Sequence, residues 1–61
     1  MCLSTVYEVV EGGENKVCEY VSSVSVGEDS VTLVDIMGLE TVVKGRITAV
    51  DLVKNTIRIS R

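Results

Sequence analysis

The chain contains no histidine, tryptophan, phenylalanine or proline, and its only aromatic residues are Tyr7 and Tyr20. Without histidine it lacks both the commonest general base and the commonest metal ligand, and with two tyrosines it has few side chains on which a nucleic-acid base can stack. The glycines at 12, 13, 27, 38 and 45 form neither a G-x-G-x-x-G nor a G-x-x-x-x-G-K-[ST] pattern, so no dinucleotide or phosphate loop is present. Serines are frequent, but no histidine or suggestively spaced lysine stands ready to activate one. Glu28 and Asp29 are adjacent carboxylates in an expected turn, where solvated acids are ordinary. The expectation is a protein that is not an enzyme.

Nor does any stretch approach the roughly 20 apolar residues of a membrane span. The opening MCLSTVYEVVE is not a basic leader followed by a long apolar run. A cytoplasmic protein with no membrane partner is expected, with Cys2 and Cys18 as free thiols. With 61 residues, the sequence is read as a single domain, 1–61, built on one core. A chain this short buries only about 60% of its unfolded surface, so dimerisation is a natural supplement.

What the sequence does have is valine, isoleucine and threonine in short alternating runs separated by glycines with acidic or amide neighbours. This is the grammar of strands and turns. The first run is Leu3 to Val10, and Gly12-Gly13-Glu14-Asn15 reads as the turn after it. The second, Lys16 to Val26, is long for one straight strand, and Ser22, Ser23 and Ser25 suggest a bend or bulge. Gly27-Glu28-Asp29 reads as a hairpin loop, Ser30 to Met37 as the third strand with Gly38 its exit, and Leu39 to Lys44 as the fourth. Gly45 breaks the run. Ile47 to Leu52 alternate as a fifth strand, with a short helical turn over Ile47 to Val53 as an alternative. Lys54-Asn55 turns into a sixth, Thr56 to Ser60, in which Ile57 and Ile59 should face inward and Arg58 water. The expected fold is all-β: a meander rolled into a small six-stranded SH3-like or OB-like barrel with no substantial helix.

Charge is unevenly spread. Residues 1–40 hold eight of the nine acids and only Lys16 among the bases, whereas residues 41–61 carry Lys44, Arg46, Lys54, Arg58 and Arg61 against Asp51. A split of this kind can mark a nucleic-acid patch. The net charge of -3 and the missing aromatics favour complementary pairing between strands instead, so nucleic acid is not the expected partner.

The two cysteines differ. Cys18 lies mid-strand on the face of Tyr20 and reads as a small hydrophobe. Tyr7 and Tyr20, on adjacent strands, read as core packing and edge polarity. No C-x-x-C pair occurs, so one chain offers too few ligands for a tetrahedral zinc site. Cys2 sits beside the chain's first nitrogen atoms. Trimming of Met1 would leave an α-amine and a thiol on one residue, and with Met1 retained its amine, the Cys2 amide nitrogen and the thiolate remain close along the backbone. Two chains about a two-fold axis, each giving one sulfur and one nitrogen, would offer the four in-plane donors that Ni(II) or Cu(II) prefers. Spacing alone leaves open whether Cys2 is a ligand or an incidental residue.

Met1-Cys2-Leu3, the first strand ending at Val10, the segment Gly45-Arg46-Ile47-Thr48-Ala49-Val50-Asp51-Leu52 and Asn55-Thr56-Ile57-Arg58-Ile59 together resemble the CooT family of small nickel-binding proteins. That resemblance implies a dimeric β-barrel that binds Ni(II) through Cys2, shared between two chains, and is linked to supplying nickel to carbon monoxide dehydrogenase. A nickel enzyme or maturation factor is then the implied partner. The Met-Cys-Leu start is also similar to the small hydrogenase-maturation chaperones of the HypC type, which use the second-position cysteine to handle iron and to contact a partner. This chain departs from them in having Thr5 where they place proline and in lacking their C-terminal helical extension. A third reading, an RNA-binding small barrel, rests only on the basic residues near the C-terminal end and on fold analogy.

Overall fold

The structure is a computed structural model that describes residues 3–61. Six strands form one sheet: β1 (Ser4–Val10), β2 (Gly13–Val26), β3 (Ser30–Asp35), β4 (Glu40–Lys44), β5 (Arg46–Asp51) and β6 (Thr56–Ser60). The described residues contain no helix, so the all-β expectation holds and residues 46–51 are strand rather than helical turn. The sheet order is β4-β3-β2-β1-β6-β5. Strands β1 to β4 meander, but β6 returns to the far side of β1 and pairs with it in parallel, Val6 opposite Ile57 and Glu8 opposite Ile59. Neither a pure meander nor a closed barrel results. Among the described residues β4 and β5 are the two edges, and no ladder joins them.

Those edges are nevertheless consecutive in sequence, separated only by Gly45. One residue carries the chain from one edge of the sheet to the other, so the sheet has to curl until its edges nearly meet. Gly45 takes φ 133°, and its N–H donates to the Asp29 carbonyl at 2.8 Å. An added Cβ would lie 2.6 Å from the backbone oxygen of Ser60 and 3.1 Å from a methyl carbon of Ile59. Glycine is required there both for its backbone angle and for the close approach of β6.

The curl encloses a core of Val6, Val21, Val31, Leu33, Val43, Ile57 and Ile59, with Val17, Cys18, Val24 and Ile47 packed against it. Ile57 and Ile59 point inward as the alternation implies, and Arg58 lies between them on the outer face. Strand β2 supplies much of the curvature. Its register against β1 shifts between the Val6–Cys18 and Tyr7–Lys16 pairs and again before Ser4–Val21, and its register against β3 shifts around Ser22. Bulges of this kind bend a strand and turn extra residues out of alternation. They let consecutive Val17 and Cys18 both reach the core and leave Tyr20 in the left-handed region at φ 56°.

The first turn is tighter than the sequence suggests. Val10 pairs with Gly13, so the loop is Glu11-Gly12, with Gly12 at φ 87°, and Gly13 to Asn15 are strand. The polar residues extend because the last residues of β1 give them a partner. Likewise β3 ends at Asp35 and β4 begins at Glu40, two and one residues inside the expected limits. The Asp35 side chain bends the intervening segment.

Replacement Gly45→Ala should destabilise the fold by about 2–4 kcal/mol through combined backbone strain and overpacking. Thermal unfolding followed by circular dichroism should show its midpoint at least about eight degrees lower, on the scale of about 4–8 °C per kcal/mol for a small domain. Gly27→Ala, whose Cβ would meet the Ser30 carbonyl at an ordinary 3.4 Å, should shift it far less.

Candidate metal-binding rim

The pairings place one end of every strand on a common rim. Ser4 lies opposite Val21, Val21 opposite Asp35, Val34 opposite Glu40, Thr5 opposite Thr56 and Asp51 opposite Thr56. The start of β1, the bulge of β2, the β3–β4 turn and the β5–β6 turn therefore lie side by side. Two backbone bonds tie them: Thr5 N–H donates to the Asn55 carbonyl at 2.9 Å, and Ile36 N–H to the Tyr20 carbonyl at 3.0 Å. Leu3, the first described residue, enters the fold on this rim. Cys2, the metal ligand expected from the sequence, lies outside the described residues together with Met1.

The two turns on the rim follow one design. In the first, Asp35 Oδ1 accepts the N–H groups of Met37 at 2.8 Å and Leu39 at 3.1 Å, and Gly38 closes the turn at φ 86°. In the second, Asp51 Oδ1 accepts those of Val53 and Lys54, both at 3.0 Å, and Asn55 closes it at φ 53°. An aspartate that caps the following amides is a familiar turn device. Here it holds apolar side chains out of the core. Met37 and Leu52 are each 82% exposed and Val53 is 92% exposed, with Ile36, Leu39 and Tyr20 also largely exposed on the same rim. Single exposed apolar residues are unremarkable, but a group of six on one rim of so small a domain is the kind of patch that contact surfaces present.

The sequence reading did not single out this rim, although a signal was present. Asp35-Ile36-Met37-Gly38 and Asp51-Leu52-Val53-Lys54-Asn55 each place two apolar residues directly after a turn-forming aspartate and before a residue that tolerates positive φ. The sequence pattern places Ile36, Met37 and Leu52 at strand ends instead. Tyr20 is corrected in the same sense. Its expected core packing gives way to 59% exposure because the β2 bulge turns it outward.

Cys18 behaves as expected of a small hydrophobe. It is half-buried against the core, and its thiol makes only a long contact, 3.6 Å, to the Glu19 carbonyl. Among the described residues no three or more Cys, Asp, Glu or His side chains gather as a metal cluster.

The basic residues divide into two groups. Arg58 Nε donates to Glu14 at 2.8 Å across the intervening β1, and Lys16 pairs with Glu19 at 2.7 Å. Each carboxylate holds its cation more firmly protonated, first through the hydrogen bond and then through charge. Arg61 approaches Glu8 more loosely, at 3.6 Å. Complementary pairing thus accounts for Arg58 and part of Arg61. Lys44, Arg46 and Lys54 form no ion pair among the described residues. Lys54 stands on the rim, and Lys44 and Arg46 flank Gly45 at the opposite pole.

The sequence profile of the family described as CO dehydrogenase accessory protein CooT matches residues 1–60. A crystal structure assigned to CooT from Carboxydothermus hydrogenoformans superposes with a TM-score of 0.87 at 27% identity, covering 98% of this chain and 97% of that one. Among curated proteins no sequence matches.

The amides of Lys54 and Val53 hold the Asp51 carboxyl below the usual aspartate range, with the backbone bond from Lys54 the largest cause. A carboxyl depressed in the folded state stabilises above its unfolded pKa, and that contribution is lost as pH falls through the folded value. Chemical denaturation at pH 6 and pH 3 should therefore show wild type more stable than Asp51→Asn by a larger margin at pH 6.

Proposed function

The chain belongs to the CooT family of CO dehydrogenase accessory proteins, and from that premise we propose that it is a nickel(II)-binding accessory factor for such an enzyme, holding the ion between two chains through Cys2. The observation that carries this reading is the meeting of the N-terminal entry with the apolar turns on one rim. Cys2 directly precedes Leu3 in the sequence, and Leu3 enters the fold on that rim. A second chain approaching rim to rim would cover Tyr20, Met37, Leu39, Leu52 and Val53 and bring two Cys2 residues together on the symmetry axis. Isologous contact of this kind is the commonest symmetry of homodimers. A standard interface takes about 800 Å² from each partner, roughly a fifth of this chain's 4335 Å².

Nickel is here a cargo. Each chain contributes one thiolate and one nitrogen at its N-terminal end, giving the four donors of a flat site. The thiolates supply softness, and a site at chain ends lies open to ligand exchange with a recipient. The ordered strands only position these donors. The protein in this reading performs no catalysis, and it acts in the cytoplasm beside the enzyme it serves.

Titration of reduced protein with Ni(II) should produce thiolate-to-nickel charge-transfer bands that saturate at one ion per two chains. Cys2→Ser should abolish them and keep the fold, and full retention of affinity would sink the reading. Cys18→Ala should keep nickel affinity within about twofold while lowering stability on the order of 1 kcal/mol. Because binding requires the deprotonated thiol, whose free pKa is about 8.5, affinity should rise from pH 6 to pH 8. Met37→Asp combined with Val53→Asp should shift sedimentation of the nickel-loaded protein toward the monomer.

A further inference from the structure

The pole opposite the rim carries a second surface that nickel binding does not use. Here Lys44 ends β4 and Arg46 begins β5, both exposed, with Gly45 between them. Together with Arg61 and Asp29 they line an open cleft of about 310 Å³. Three basic residues and one aspartate thus line the cleft on a chain whose net charge is -3. Arg58 and Lys16, by contrast, have close carboxylate partners within the fold. Lys44 and Arg46 have none among the described residues, and Arg61 has only the 3.6 Å approach to Glu8. The tight Gly45 corner forces the two cations onto adjacent positions at the point where both open edges of the sheet converge.

We propose that this Lys44–Gly45–Arg46 corner, with Arg61, is the docking site for an acidic segment of a partner protein. Carboxylates suit the cluster because guanidinium groups bind them in a bidentate fork and the lysine adds a point charge. An extended peptide also suits two converging sheet edges, whose outward backbone groups are free to pair with an incoming strand. Nucleic acid suits it poorly. No aromatic residue lines the cleft, Tyr20 lies on the opposite rim, and the negative charge of the whole domain repels a long polyanion. The six residues of β5 separate this corner from the rim by about 17–20 Å. A partner gripped at the corner leaves the N-terminal rim uncovered, so docking and the proposed nickel site do not compete.

The test uses fluorescein-labelled octaglutamate as probe and labelled octauridylate as the competing class, both read by fluorescence anisotropy at low salt with metal-free protein. The metal-free protein makes the result independent of the nickel reading. Octaglutamate should bind wild type, and Lys44→Glu combined with Arg46→Glu should weaken it at least tenfold. The equally charged control, Lys16→Glu with Lys54→Glu, should weaken it less than threefold. If the first pair disturbs the circular dichroism spectrum, Lys44→Gln with Arg46→Gln serves instead and should weaken binding at least threefold. Absence of octaglutamate binding, an equal loss in the control pair, or tighter corner-dependent binding of octauridylate would each overturn the proposal.

Discussion

A six-stranded sheet whose two edge strands are joined by a single residue cannot lie flat. Gly45 is that residue, and the remaining geometry follows from it. Carrying β5 directly from the end of β4 places the β5–β6 hairpin on the far side of β1, which makes β6 parallel to β1 and brings its backbone to 2.6 Å from where a Gly45 side chain would begin. The curl then wraps one face around Val6, Leu33, Val31 and Ile59, all fully buried. A core of seven residues is small even for 61, and the bulges of β2 let Val17 and Cys18 add to it from consecutive positions. The fold is therefore held by curvature as much as by composition.

Curvature also sorts the surface into two poles. On one, aspartates 35 and 51 bend the chain so that Met37, Leu52 and Val53 face solvent beside the N-terminal entry. On the other, the Gly45 corner gathers Lys44 and Arg46. An apolar rim suits contact with a second copy of the chain, and a compact charged corner suits a different, acidic molecule. Membership in the CooT family supports an accessory role beside CO dehydrogenase, and Leu3, the first described residue, enters the fold at this rim.

The strands and their inward faces were legible in the sequence because period-two alternation is enforced wherever one face is buried. Ile57 and Ile59 illustrate this. Sequence patterning missed what depends on partners distant along the chain. Gly13 to Asn15 look like a turn until β1 supplies their ladder, and Tyr20 looks inward until a bulge rotates it. The open sheet was hidden for a similar reason, since local alternation does not say whether the last edges pair. Ile36, Met37 and Leu52 read as strand residues until the aspartate before each pair is seen to cap a turn. Cys2 presents the reverse case. Its position and the family resemblance marked it from the sequence, whereas the described residues begin just after it.

The proposed nickel site and the proposed contact with a second chain share the N-terminal rim. The most direct test of this sharing is amide chemical-shift mapping of isotope-labelled protein as Ni(II) is added, since a flat thiolate-rich nickel site is diamagnetic and leaves the signals observable. Shifts should concentrate at Leu3 to Thr5, Tyr20, residues 36–39 and residues 52–55, with Lys44 to Arg46 unmoved. Shifts centred on the Lys44–Arg46 corner, or none at the rim, would contradict it.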